Sequence, residues 1–228
     1  SNLTKITIPN SVTTIGNDEF NSGAFSYHND NLTIYTTCDS TYIINYANSH
    51  SISVNVTHKF KISKIEASTS GTGGTITYTC QNCGETKTVG YKYIWDVSEN
   101  GDNSVQAILT TEGTLIITGT GNMKNYSKTT TVPYEKELKE IKNVEIDEGV
   151  KNIGNYAFCD CIYLTSITIP DSVTNIGNNV FLRCSSLTSI EIPNSVTSIG
   201  NHAFRGCRDL MEITIPSNVT LIADYTFS

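Results

Sequence analysis

A 23-residue spacing runs through the second half of the chain and limits what the chain can fold into. Pro170, Pro193 and Pro216 each end an Ile-x-Ile-Pro run at this spacing, and Pro9 ends another such run near the start. The same spacing holds at further apolar and glycine positions: Leu164, Leu187 and Leu210; Val150, Val173, Val196 and Val219; Ile153, Ile176, Ile199 and Ile222; Gly154, Gly177 and Gly200; and Phe158, Phe181, Phe204 and Phe227. Such a period is typical of a repeat protein in which each unit packs on its neighbours.

The pattern within one unit predicts how that unit folds. Apolar and polar residues alternate before each proline, as in a strand with one buried face, and the proline ends the strand because it has no N–H to donate. A single unit cannot bury its apolar face alone, so stacked units are expected to form a parallel sheet with strands about 4.8 Å apart. We therefore predict a mainly β solenoid with strands at Leu164–Ile169, Leu187–Ile192 and Leu210–Ile215.

The sequence of the repeat also resembles that of a known family. Residues 164–184 run Leu-Thr-Ser-Ile-Thr-Ile-Pro-Asp-Ser-Val-Thr-Asn-Ile-Gly-Asn-Asn-Val-Phe-Leu-Arg-Cys, which is similar to the repeat of the BspA-like, or Treponema-type, leucine-rich repeat proteins. The resemblance covers about residues 3–20 and 147–228. It implies a leucine-rich-repeat solenoid in a secreted or cell-surface protein, bacterial or protozoan, of a class associated with adhesion to host matrix proteins or to other microbes.

Changes in pattern along the chain predict four segments. A helix capped by Asp39 or Ser40 is expected near the end of the first segment, and a helix that starts at Pro133 is expected in the third. The segments are 1–57, the end of a first repeat array with its C-terminal cap; 58–91, a small β linker module; 92–146, the N-terminal cap of a second array; and 147–228, that second array.

Charge and hydropathy exclude some partners. Fifteen Lys and Arg residues stand against 22 Asp and Glu residues, which gives a formal net charge of −7. Nucleic acids and anionic membranes bind basic surfaces, so no nucleic-acid partner is expected. No run of about 18 apolar residues occurs, so no membrane insertion is expected either.

The Cys80-x-x-Cys83 motif is the strongest sign of chemistry in the sequence. A structural zinc site needs four thiolate or imidazole ligands, a second Cys-x-x-Cys is absent, and His58 supplies at most a third ligand. A tight turn with free thiols or a small-loop disulfide is therefore favoured, and a thioredoxin-like role is disfavoured because Gly84 follows where a helix should start. We expect no cofactor, no bound metal and no effect of zinc chelation on thermal stability.

The other cysteines fall into two groups. Cys161, Cys184 and Cys207 keep the repeat spacing, which predicts a buried column of apolar thiols in preference to metal ligands. Cys38 and Cys159 lie outside that spacing, and because the chain has 7 cysteines they cannot all pair within it.

An acidic stretch is similar to the start of a calcium-binding loop. Its sequence is Asp96-x-Ser98-x-Asn100-Gly101-Asp102, but Ala107 occupies the position at which such a loop needs a bidentate glutamate. A polar turn is therefore the favoured interpretation.

The strand residues that point away from the core predict a ligand-facing sheet, which is polar, mildly acidic and without an aromatic anchor. Its members are Ser166, Thr168, Ser189, Glu191, Glu212 and Thr214. No nucleophile elbow, zinc-protease motif or phosphate-binding glycine loop occurs, so we do not expect an enzyme. The predicted function is a non-catalytic extracellular scaffold that binds a protein or glycan; the alternative is an ancillary module of a larger secreted enzyme, such as a glycan-degrading one.

Overall fold

The computed structural model describes residues 3–13, 15, 32–49, 51–69 and 73–227. The chain divides into two units, one of Ser1–Ile65 with Ile76–Thr88 and one of Glu66–Thr75 with Val89–Ser228. The division into four segments made from the sequence stays a prediction.

Strands dominate both units. They are β1 (Lys5–Thr7), β2 (Thr33–Thr37), β3 (Ser53–Thr57), β4 (Phe60–Ala67), β5 (Gly74–Cys80), β6 (Thr86–Asp96), β7 (Val105–Thr110), β8 (Thr114–Gly119), β9 (Gly121–Asn122), β10 (Asn143–Ile146), β11 (Val150–Ile153), β12 (Ser166–Thr168), β13 (Asn175–Ile176), β14 (Ser189–Glu191), β15 (Ser198–Ile199) and β16 (Glu212–Thr214). One α-helix, α1 (Thr41–Ser49), and one 3₁₀ turn (Glu135–Glu137) complete the described elements. Among these residues no helix has the length and apolar character needed to cross a membrane.

The first unit contains a parallel sheet of β1, β2 and β3 with α1 packed beside it. Lys5 is in register with Thr33, and Thr33 with Ser53. Ser40 starts the helix, because its carbonyl accepts the N–H of Ile44 at 3.1 Å. The helix buries one face, formed by Ile43, Tyr46 and Ala47, whereas Tyr42, which its apolar pattern also places on that face, is 40 % exposed. That face packs in one cluster with the sheet residues Leu32, Ile34 and Ile52.

The second unit is the solenoid that the repeat spacing predicts. An antiparallel meander of β6, β7 and β8 comes first, and β8 then pairs in parallel with β10, which pairs in parallel with β12. A separate parallel ladder joins β14 to β16, with Ser189 opposite Glu212. The Val-x-x-Ile stretches that carry β11, β13 and β15 form a further parallel sheet with β9, in the order β15-β13-β11-β9. The prediction of a mainly β leucine-rich-repeat solenoid is confirmed.

The Ile-x-Ile strands are shorter than predicted. Each has 3 residues, as in Ser166–Thr168, where the apolar pattern extends over six positions from Leu164 to Ile169. Leu164 is fully buried and Ile169 is 9 % exposed, so both belong to the core although neither is in the strand. Burial therefore extends the alternating pattern beyond the residues that pair.

Two ladders of side chains set the stacking of the repeats. The phenylalanine rings stack at centroid distances of 5.7 Å for Phe158–Phe181, 5.3 Å for Phe181–Phe204 and 5.7 Å for Phe204–Phe227. An asparagine ladder accompanies them: the backbone N–H of Asn178 donates to Asn155 Oδ1 at 2.7 Å, and that of Asn201 to Asn178 Oδ1 at 2.8 Å. Each repeat thus satisfies a backbone donor of the next.

The helix predicted from Pro133 is wrong, because only the 3₁₀ turn Glu135–Glu137 forms there. The apolar residues behind that prediction, Tyr134 and Ile141, are fully buried all the same. The Tyr134 hydroxyl donates to the carbonyl of Ala157 at 2.9 Å. These side chains are buried from an irregular segment, so their spacing alone does not specify helical backbone.

Candidate functional site

The six residues predicted to face a ligand lie together on one exposed face. Ser189 is in register with Glu212, and Glu191 with Thr214, while β12 supplies Ser166 and Thr168. All six are exposed and line a single groove of about 940 Å³. The strand isoleucines between them turn inward, as at Ile167 and Ile190, which are 8 % and 7 % exposed. We call this surface the groove face.

The groove face is acidic. Four carboxylates line the groove, those of Glu148, Asp171, Glu191 and Glu212, and its lining residues include no lysine or arginine. They include no aromatic residue either. The polar side-chain groups in the lining are carboxylates, hydroxyls and the amide of Asn194.

Sequence reasoning missed part of this face. Glu148 and Asp171 lie beside the strands and were not among the predicted residues, although they line the groove. Glu145 is exposed and in register with Thr168, one repeat earlier. Subtracting the repeat length from Thr168 gives Glu145, so the register was a sufficient signal for that residue.

The cysteines that keep the repeat spacing form the buried column that the sequence predicts. Cys161 and Cys184 are fully buried and Cys207 is partly buried. The Cys184 thiol donates to the carbonyl of Phe158 at 3.1 Å, and the Cys207 thiol to that of Phe181 at 3.2 Å. Burial raises the pKa of Cys207 to about 11. These thiols are protonated core residues near neutral pH.

The calcium-loop candidate is a turn that uses its own carboxylates. The side chain of Asp96 accepts the backbone N–H of Ser98 at 2.9 Å and also the Ser98 hydroxyl. The Ser98 oxygen in turn accepts the N–H of Asp102 at 2.9 Å, and Asp102 accepts the N–H of Ser104 at 3.0 Å. This geometry agrees with the polar turn favoured from the sequence.

The hydrogen bonds of this turn affect the pKa of Asp96. Hydrogen bonds from the Ser98 hydroxyl and then from the Ser98 N–H hold the pKa of Asp96 below its ordinary value. A lowered folded-state pKa stabilises the fold above the unfolded carboxyl pKa of about 3.9, and that stabilisation is lost as the pH falls through the lowered value. In Ser98→Ala we expect the pKa of Asp96 to rise, as measured by NMR titration of its side-chain carboxyl carbon. An unchanged titration midpoint would contradict the assignment.

The structure also brings the weak metal candidates together and adds a fourth. Cys38, His58, Cys80 and Cys83 each present a ligand atom, and these atoms all lie within 4.8 Å of one another. We call them the Cys3His cluster. The expectation that His58 is at most a third ligand, with no fourth, is therefore wrong. The sequence placed Cys38 outside the repeat spacing but gave no sign that it lies beside Cys80 and Cys83.

Electrostatics differ sharply between two sulfurs of the cluster. Burial, followed by the proximity of Cys80 and Cys83, raises the pKa of the Cys38 thiol to about 12. Burial would raise the pKa of Cys80 too, but hydrogen bonds from the backbone N–H groups of Asn82 and Cys83 and from the Cys38 and His58 side chains outweigh it, and the pKa falls to about 6. The two shifts have opposite directions because Cys80 accepts hydrogen bonds that Cys38 does not.

Comparison with known proteins gives a family and a set of solved structures. Residues 1–70 and 134–228 match the model of the BspA type Leucine rich repeat region, in 6 copies. A leucine-rich repeat protein from Eubacterium ventriosum is 27% identical, covers 50% of this chain and 35% of its own, and has a TM-score of 0.41. The Treponema pallidum leucine-rich repeat protein is 25% identical, with coverages of 55% and 64% and a TM-score of 0.41.

A third solved structure, a leucine-rich repeat protein from Bacteroides ovatus, is 32% identical over 54% of this chain and 37% of its own, with a TM-score of 0.40. The chain thus matches less than two thirds of the length of each of these three proteins. No functionally curated protein matches it.

Proposed function

Since the chain belongs to the BspA-type leucine-rich repeat family, we propose that it is a non-catalytic scaffold on which the groove face binds a protein partner. Leucine-rich repeat proteins are generally protein-binding scaffolds and typically non-catalytic. The observation that carries the proposal is the groove itself, in which exposed hydroxyl and carboxylate side chains from three successive repeats line one continuous surface.

The regular backbone beneath the groove makes it a preorganised surface. Equivalent positions recur from strand to strand, as Ser189 and Glu212 do, and parallel strands lie about 4.8 Å apart. The buried isoleucines below hold the strands in place, so little conformational entropy is lost when a partner binds. Such a surface suits an extended segment or a flat patch of another protein.

Charge narrows the partner to a basic one. The groove carries four carboxylates and no cationic side chain among its lining residues, and the whole chain has a formal net charge of −7. Complementary charge raises association rates and makes binding sensitive to salt. The groove also lacks aromatic anchors, so the partner is expected to contribute the anchor residues, with arginine the type that fits an acidic groove.

The family assignment supports a more specific setting for this scaffold. Members of this family are mostly surface or secreted proteins, so we place the chain outside the cell or on its surface. Adhesion to host matrix proteins or to neighbouring cells is the role proposed for the basic partner.

Charge reversal in the groove tests the proposal. Binding of a panel of purified extracellular matrix proteins, and of matched Lys/Arg-rich and Asp/Glu-rich peptides, is measured by biolayer interferometry at several salt concentrations. We expect Glu191→Lys with Glu212→Lys to weaken binding of a matrix protein and of the basic peptide by about tenfold or more, with binding that falls as salt rises.

A matched control separates the groove from net charge. Glu112→Lys with Glu137→Lys changes the net charge by the same amount at residues outside the groove lining, and is expected to leave affinity within about twofold. Equal losses in both variants, or binding that neither variant alters, would contradict the groove as the binding surface. Binding of glycans alone, without any protein, would assign the groove to a different class of partner and overturn the proposal.

A further inference from the structure

The Cys3His cluster draws its four ligand atoms from separate parts of the first unit. Cys38 directly follows β2, His58 lies between β3 and β4, Cys80 ends β5, and Cys83 lies in the turn before β6. The sulfur atoms of Cys38 and Cys80 are 3.3 Å apart, and the sulfur of Cys83 is 3.4 Å from His58 Nδ1. We propose that these residues bind one structural Zn²⁺ ion in a tetrahedral site.

The distances suit that ion. Zinc bonds of about 2.3 Å to sulfur and about 2.0–2.1 Å to nitrogen, at tetrahedral angles, place ligand atoms roughly 3.5–3.8 Å apart. The Cys38–Cys80 and Cys83–His58 separations are a few tenths of an ångström shorter, and all ligand atoms lie within 4.8 Å of one another. Small side-chain rotations therefore complete the coordination shell. Three thiolates and an imidazole favour zinc over the oxygen-preferring cations.

The loop that carries Cys80 and Cys83 has the form of a ligand-presenting turn. The N–H of Gly84 donates to the Cys80 carbonyl at 3.0 Å, and the N–H of Cys80 donates to the Glu85 carbonyl at 2.7 Å. Gly84 closes the turn at φ +77°, a conformation that favours glycine. Backbone N–H groups of Asn82 and Cys83 point at the Cys80 sulfur. Such donors stabilise a thiolate, which is the form that binds metal.

His58 is oriented as a ligand. Its Nε2 lies 3.3 Å from the Glu85 carboxylate, which leaves Nδ1 facing the sulfurs. Carboxylates commonly hold zinc-binding histidines in this way, because they fix the tautomer and ring orientation. The ring also stacks on Phe60 at a centroid distance of 5.4 Å. A disulfide between two of the cysteines would not involve the imidazole of His58. A tetrahedral structural zinc site needs a fourth ligand, which His58 provides.

The surrounding strands give the metal a structural role. None of the residues of β4 is fully buried, and in the part of β5 that belongs to the first unit the buried residues are Ile76, Tyr78 and Cys80. Segments with so little core depend on cross-links for stability, and a bound zinc contributes folding free energy directly. The ion would join the loop after β2 to the β4–β5 region and to the turn before β6. The first and last of its ligands, Cys38 and Cys83, are 45 positions apart in the sequence.

Metal content and thermal unfolding of the intact chain test this proposal. We expect one zinc per chain by mass spectrometry of the metal after reduction and incubation with Zn²⁺. A zinc-specific chelator should lower the midpoint of thermal unfolding by several degrees, and Zn²⁺ should restore it. Substitution with Co²⁺ should give the visible absorption of a tetrahedral thiolate-bound ion.

Single-ligand variants keep the test specific. Cys83 is exposed, so Cys83→Ser should fold and yet bind zinc at least about tenfold more weakly, and Cys38→Ser should lose affinity in the same way. Cys159→Ser is the matched control, since Cys159 is only partly buried and lies outside the cluster, and should bind zinc as the unaltered chain does. A reduced chain that takes up no zinc, or a Cys38→Ser variant that keeps full affinity, would overturn the proposal. A Cys38–Cys80 disulfide that remains after reduction and incubation with Zn²⁺ would also overturn the proposal.

Discussion

Phe181→Ala is expected to lower the free energy of unfolding by about 3–5 kcal/mol, because it removes a buried ring and leaves a cavity. Phe181 is fully buried, and its ring stacks on Phe158 at 5.7 Å and on Phe204 at 5.3 Å. Removing it therefore loosens two repeat interfaces at once. Urea titration followed by circular dichroism measures the change.

A half-exposed ring of the same ladder provides the control. Phe227 is 47 % exposed and stacks on Phe204 alone among the ladder rings described. Because less area leaves water when it folds, Phe227→Ala should cost no more than about 1–2 kcal/mol. A fall in the free energy of unfolding of less than about 1 kcal/mol for Phe181→Ala would show that this ring is not a core element.

Gly154→Ala is expected to be nearly as costly, at about 3 kcal/mol, through overpacking. A β-carbon at Gly154 would lie 2.0 Å from the carbonyl oxygen of Lys124 and 2.8 Å from its carbonyl carbon. Both atoms belong to the backbone, so the strand or the preceding loop must shift. The same urea titration measures the loss.

The last repeat offers a matched control for that substitution. Ala223 occupies the position equivalent to Gly154, and Ala223→Gly should change stability by about 1 kcal/mol or less, the usual backbone cost of glycine. A Gly154→Ala variant as stable as the unaltered chain would show that the close approach to Lys124 is relaxed in solution.

The solenoid was predictable because its contacts follow the sequence period. Each repeat packs on the next, so positions such as Phe158 and Phe181 repeat in the sequence as they do in space. The groove face followed from the same rule. Glu145, which is in register with Thr168 one repeat earlier, was missed only because the register was not extended to that repeat.

The Cys3His cluster was not predictable from spacing in the same way. Cys38 and Cys80 are 42 positions apart, and His58 and Cys83 are 25 apart, and neither separation corresponds to a repeat. Their meeting depends on how α1, β3 and the β4–β5 region fold back on the loop after β2. Such closure is a tertiary property that local pattern does not encode. The irregular segment around Tyr134 escaped prediction for a related reason, since one long-range hydrogen bond to Ala157 outweighs local helical spacing.

The asparagine ladder gives the solenoid a direction and a unit of growth. Each amide oxygen accepts the backbone N–H of the following repeat, at 2.7 Å for Asn155 and 2.8 Å for Asn178, so every interior repeat offers the same donor on one side and the same acceptor on the other. A gene that gains or loses one repeat by unequal recombination therefore rejoins matching surfaces. The array can therefore change length in whole 23-residue steps that keep the ladder in register, whereas an insertion within a paired strand would shift its groove residues out of register.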